Sequence, residues 1–254
     1  MESGRNQAEI VGRIEVDGAA LAWRRHEGAG PTVIWLGGFH SDMTGTKVQA
    51  LADWAAAAGR GFLRFDYFGH GQSDGRFVDG TITRWRADAL AVLDRLTEGP
   101  VVLVGSSMGG WLACLAALAR PERVRALVLV APAADFTEAL LRPSLPPEAL
   151  AALVLDGVWT RPSAYDGAGY EISAALLEDG AAWSILGGPA IPITVPVRIL
   201  QGGADPDVPW RHALALAEDL QGPDVVFNLI RDGDHRLSRP ADIARLIAAV
   251  GEVA

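Results

Sequence analysis

Short runs of branched and apolar residues alternate along the chain with longer segments whose apolar positions recur at helical spacing. Residues 10–17 and 19–26 flank Asp17-Gly18, a hairpin turn signal. TVIWLGG (32–38) is a nearly continuous apolar run and reads as a buried strand. A helical pattern over 47–59 stops at Gly59, a strand is predicted over 61–67, and a helix over 81–96. PVVLVGSS (100–107) is the most hydrophobic short strand; a helix from Met108 to about Arg120 and a strand over 126–133 follow. After a break, strand and helix alternate again at 197–203, 210–220, 225–230 and 240–252. This rhythm predicts an α/β fold, a mostly parallel sheet with helices on both faces. The break, from about 135 to 194, holds six prolines, with a seventh at 196, and two apolar helical stretches, 148–155 and 170–186. A single domain over 1–254 is therefore expected, with a helical cap inserted at about 136–195.

Composition narrows the class. Half of the 254 residues are hydrophobic and 21% are charged, which excludes disorder as the main state. The net charge of −9, with no long basic run, argues against nucleic acid or an anionic membrane surface as a partner. No apolar run approaches the ~18 residues of a membrane span. Cys114 is the only cysteine, so no internal disulfide is expected and a reducing compartment fits. The opening MESGRNQAEI has no signal-peptide-like apolar stretch, and a cytoplasmic location is expected.

The chemistry centres on Gly105-Ser106-Ser107-Met108-Gly109, a G-x-S-x-G between a predicted strand and a predicted helix. Only Ser107 fits the register, because centring on Ser106 would need glycine where Val104 and Met108 stand. A nucleophile in this position needs a strained turn that lifts its hydroxyl out of the sheet. Its base is expected to be His235, in the polar loop after the last predicted strand. His26 and His212 fall on predicted regular elements and read as structural or solvated. The acid should lie between nucleophile and base, where GGADPDVP (202–209) offers Asp205 and Asp207. The spacing selects Asp205, with Asp207 read as a helix cap. The oxyanion hole is expected from the backbone amides of Met108 and Phe39, the latter following the Gly37-Gly38 pair. His40, Trp159 and Trp183 are candidate pocket residues. The glycine-rich stretch Asp66–Ser73 lacks a phosphate-binding signature and reads as a structural turn; no metal or other cofactor is expected.

With these residues in place the chain resembles the serine α/β-hydrolases. Within them it resembles the family of mammalian α/β-hydrolase domain-containing protein 10. That family is described as mitochondrial palmitoyl-protein thioesterases and acyl-glucuronide esterases. The resemblance is carried by GFHSDMTGTK (38–47), RFDYFGHGQSDG (64–75), the stretch 85–112 ending in GSSMGGWL, and ARPERVRALVLVAPAAD (119–135). Shorter matches are GVW (157–159), PVRIL (196–200), VPW (208–210) and DHR (234–236). The resemblance implies a nucleophile at Ser107, an acid at Asp205 and a base at His235. It also implies a small-molecule acyl ester or thioester, or an acylated protein, as substrate. The insertion matches least, so the acyl specificity does not carry over. A non-catalytic ligand sensor on the same fold, a peptidase and an acyltransferase are the competing functions.

Overall fold

The expected hairpin opens the sheet in the computed structural model, which describes residues 9–162 and 169–254. Strands β1 (Ile10–Val16) and β2 (Ala19–His26) pair antiparallel, and Asp17 and Gly18 both adopt positive φ, as a two-residue hairpin turn requires. Six further strands complete the main sheet: β3 (Ala29–Leu36), β4 (Arg60–Phe65), β5 (Val101–Ser106), β6 (Val124–Val130), β9 (Val197–Gly202) and β10 (Val225–Ile230). The spatial order is β1-β2-β4-β3-β5-β6-β9-β10. β2 joins β4 antiparallel, and all contacts from β4 to β10 are parallel. β5 is buried along its whole length, which is why it reads as an apolar run, and β9 is equally buried although it carries Arg198 and Gln201.

Helices cover both faces. α1 (Thr46–Ala57) and α7 (Pro240–Val253) pack Val48, Leu51, Leu246 and Val250 onto Val33, Val102 and Val128. On the opposite face α2 (Ile82–Leu96), α3 (Met108–Ala119) and α6 (Trp210–Asp219) bury Trp85, Trp111 and Leu216 against Ile34, Leu103 and Ile199. α3 is apolar on every side because it is covered on every side. No described helix is long and apolar enough to cross a membrane.

The segment between β6 and β9 departs in part from expectation. α4 (Pro147–Leu155) matches the first apolar stretch. The second is divided: β7 (Val158–Arg161) and β8 (Tyr170–Ser173) form an antiparallel pair, and only Ala174–Ala181 is helical, as α5. Ser173 marks the change, its hydroxyl accepting from the Leu176 amide (3.1 Å) as an N-cap. The segment is tied to the body at both ends. The Asp135 carboxylate accepts the Ile185 and Leu186 amides, and Asp179 accepts the amide and hydroxyl of Thr83 on α2.

Candidate active site

All of the predicted site residues that touch the central cleft sit just beyond strand ends. In a parallel sheet those ends lie along one edge, and the chain reverses its direction of progress between β3 and β5, where an open α/β sheet forms its crevice. Ser107 follows β5, Phe39 follows β3, Asp205 follows β9 and His235 follows β10.

Ser107 has φ 55° and ψ −119°, a conformation that a residue with a side chain rarely adopts. The turn is held by its amide, donated to Val130 O (2.9 Å), and by its carbonyl, which accepts from Gly110 (2.8 Å) and Ala133 (3.1 Å). The flanking glycines are required sterically. A Cβ on Gly105 would lie 2.3 Å from Gly109 O, and one on Gly109 would lie 2.1 Å from Leu36 O. Met108 opens α3, so its amide has no acceptor within the helix. Phe39 and Met108 both border the cleft beside Ser107.

Across the cleft, His235 Nδ1 lies 2.8 Å from Asp205 Oδ2. The Asp205 side chain is wholly buried. Its Oδ1 accepts the Asp207 and Val208 amides (2.9 Å each), and Oδ2 also accepts from Gln201 Nε2 (3.2 Å). Every lone pair of the carboxylate is engaged, and the imidazole is aimed by a fixed acceptor. Asp205, Asp207 and His235 bring ligand-type atoms within 4.8 Å of one another. The short Asp205–His235 contact needs a proton between its two atoms, which leaves no cation direction at that pair.

Two cavities meet at Ser107 and His235. One, of about 560 Å³, is bordered by His40, Thr46, Lys47, Arg236 and Ser238. The other, of about 150 Å³, is bordered by Met108, Phe136, Leu140, Leu141 and Val208. Phe39 and Tyr170 border both. Phe39 sits in an aromatic cluster, with ring centroids 4.7 Å from Phe77, 5.5 Å from Phe136, 5.6 Å from Tyr170 and 5.9 Å from Trp85. His40 lines the larger cavity and meets Phe77 edge-on at 4.8 Å.

Trp159 and Trp183 border neither cavity. Trp183 instead donates Nε1 to Thr83 Oγ1 (2.7 Å) and stacks beneath Arg86, so it anchors the segment to α2. Trp159 pairs with Ile172 in the β7–β8 ribbon and packs on the core. Nor does Asp207 cap a helix: Pro209 is the N-cap of α6, without a side-chain cap bond. The other histidines lie on separate tasks: His212 Nε2 bonds Ala134 O (2.7 Å), and burial pushes His70 down to about 4. Asp66, in the glycine-rich stretch, accepts the Met43 (2.7 Å) and Gln72 (2.8 Å) amides, a structural turn as read from sequence.

Sequence reasoning missed Gln201, Lys47, Phe136 and Tyr170. Gln201 is a polar residue inside a buried strand, and Lys47 is the only lysine; both were visible oddities. Lys47 Nζ donates to the carbonyl of Arg236, next to His235. Burial, aided by the Arg236 charge and opposed by Asp234, lowers Lys47 from 10.5 to about 8.

Comparison with known proteins identifies the family. A family profile described as serine aminopeptidase, S33 matches residues 30–163. Palmitoyl-protein thioesterase ABHD10 of Mus musculus is 41% identical over 234 residues, 92% of this chain and 78% of that protein. The mouse α/β-hydrolase domain-containing protein 10 structure superposes with a TM-score of 0.87 at 39% identity, covering 96% of this chain and 97% of that one. A crystal structure from Agrobacterium vitis S4 superposes with a TM-score of 0.93 at 45% identity, covering 97% and 99%. The chain belongs to the α/β-hydrolases, in the family of palmitoyl-protein thioesterase ABHD10.

Proposed function

We propose that this protein is a serine hydrolase that cleaves carboxylic esters and thioesters through an acyl-enzyme, using Ser107, His235 and Asp205. The observation that carries the reading is the Asp205–His235 pair, 2.8 Å apart with its carboxylate buried, facing the strained Ser107 across one cleft. Ser107 Oγ attacks the acyl carbon while its proton passes to His235 Nε2. The electron pair of the carbonyl moves to oxygen, where the Phe39 and Met108 amides receive it. Collapse breaks the C–O or C–S bond, and the imidazolium returns the proton to the departing alkoxide or thiolate. Water then repeats the sequence on the acyl-enzyme and releases the acid. Asp205 holds the Nδ1 proton and stabilises the imidazolium.

Residues 136–195 serve as the cap of a single domain, supported by the place of Phe136, Leu140 and Tyr170 on the cleft walls. The substrate is a small acyl ester or thioester, or an acylated protein; the thioesterase name of the relatives favours this over peptide hydrolysis. The single buried Cys114 fits a reducing, cytoplasmic setting, whereas those relatives are described as mitochondrial. The test is covalent labelling with a fluorophosphonate, read by mass spectrometry alongside p-nitrophenyl ester turnover. Ser107→Ala should abolish both. Labelling that persists in the variant, or that maps to Ser106, overturns the assignment.

A further inference from the structure

Lys47, the only lysine of the chain, carries its charge where the fold disfavours it. It is the second residue of α1, at the end where the helix dipole is positive and repels a cation. The side chain is half-buried. Burial and the Arg236 charge both work against the ammonium, and Asp234 offsets them only in part. A methionine would fill the same volume with none of these costs. What the ammonium adds is a charge-assisted hydrogen bond, from Nζ to the carbonyl of Arg236, 189 positions further along the chain.

That carbonyl follows His235 directly. The segment around it is shaped by the Leu237 amide, which donates to Asp234 Oδ1 (2.9 Å), and by the Ser238 hydroxyl, which donates to the same Arg236 carbonyl (3.1 Å). Leu237 adopts φ 44°, a conformation unfavourable for a side chain of its kind, so the turn depends on contacts that hold it. Asp205 holds the imidazole at Nδ1, and a ring held at that atom can still swing its Nε2 unless the backbone beside it is fixed. The other end of the Lys47 bond is rigid. α1 buries Val48 and Leu51 against the sheet. The loop before α1, which brings Phe39 to Ser107, is pinned at Met43. Its amide donates to Asp66 Oδ1 (2.7 Å), and its carbonyl accepts from Arg64 (3.2 Å).

We propose that Lys47 is a positioning residue for the hydrolysis: through the Arg236 carbonyl it ties the His235 segment to the frame that carries the Phe39 amide, so that base and oxyanion donor keep a fixed spacing across Ser107. This rests on the Ser107–His235–Asp205 hydrolase reading and adds a strut to it. Lys47 acts on the reaction through His235. A misplacement of about 1 Å at a reacting group lowers the rate by about a hundredfold, which sets the scale of the effect.

The test compares Lys47→Met, which keeps the volume and loses the donor, with Lys47→Arg, which keeps a charged donor at a site open to the larger cavity. Both are measured with wild type on one p-nitrophenyl ester at pH 7. His235 serves acylation and deacylation alike, so both steps slow together, kcat falls and KM holds. In Lys47→Met, kcat should fall about ten- to a hundredfold with KM within about threefold, and fluorophosphonate labelling of Ser107 should slow by the same factor. Lys47→Arg should stay within about threefold of wild type on each measure. The inference is overturned by an unchanged kcat or an unchanged labelling rate in Lys47→Met. A loss carried by KM, which would make Lys47 a substrate contact, overturns it too, as does a Lys47→Arg as slow as Lys47→Met. Each of these leaves the hydrolase reading intact. Wild-type protein that neither turns over the ester nor labels at Ser107 overturns both.

Discussion

Replacing Asp205 by Asn tests the proposed triad at its most constrained atom. Oδ1 accepts two backbone amides, from Asp207 and Val208, each at 2.9 Å. Those fixed donors force the oxygen of an asparagine to stay at the Oδ1 position. Its NH₂ must then occupy the place of Oδ2, facing His235 Nδ1 (2.8 Å) and Gln201 Nε2 (3.2 Å). His235 can meet a donor only by accepting at Nδ1, which moves its proton to Nε2, the atom that must receive the proton of Ser107. In a serine protease the corresponding replacement lowers kcat by about 10⁴, and a similar loss is expected here. The clash of donors with Gln201 adds a stability cost of about 1–3 kcal/mol, small enough for the variant to remain folded. Asp207→Asn is the comparison. Its side chain caps no helix, and kcat should fall less than about tenfold, below about 1.4 kcal/mol in barrier. The assay is kcat for both variants on one ester, with circular dichroism as the check on folding. A large loss in Asp207→Asn with a mild one in Asp205→Asn would refute the reasoning and transfer the acid role along the loop.

Three further outcomes are expected. Gly109→Ala, whose Cβ would lie 2.1 Å from Leu36 O, should lower Tm by about 6–12 °C, corresponding to about 3 kcal/mol. Gly188→Ala, where nothing lies within 4 Å, should leave Tm unchanged; equal effects would refute the steric reading. Trp183→Ala, which removes the bond to Thr83 Oγ1 and the Arg86 contact, should cost about 1–3 kcal/mol in denaturant titration. Because Trp183 borders neither cavity, the ratio of kcat/KM between acyl lengths should stay constant, and a changed ratio would place it back in the pocket. For Lys47 the folded state holds its proton less tightly than the unfolded chain, so wild-type stability rises as pH passes from about 8 to 10.5. That window is worth at most about 3 kcal/mol, and the stability of Lys47→Met relative to wild type should therefore be greater near pH 7 than near pH 10. A pH-independent difference in chemical denaturation would show that burial does not perturb this lysine.

The α/β alternation and the order of its elements were legible in the chain's apolar pattern, and so were the loops that carry Ser107, Asp205 and His235 beyond β5, β9 and β10. These follow from local rules: apolar periodicity, glycine at a tight turn, and the order of loops along a parallel sheet. Even the assignment of Asp66–Ser73 as a structural turn needed only its glycines and the lack of a phosphate signature. Tertiary structure decided the rest. Residues 170–173 are a strand and not the start of a helix because they pair with 158–161, a partner that helical periodicity does not reveal. Trp183 anchors and does not line, because α2 brings Thr83 and Arg86 against it from about a hundred residues away. Asp207 caps no helix because Pro209 holds the N-cap position of α6. Phe136 and Tyr170 became cleft walls through contact with Phe39, a residue of a distant loop. Backbone conformation is set mainly by neighbours in the chain, whereas pocket shape depends on which side chains distant segments bring together, and only the folded chain specifies those.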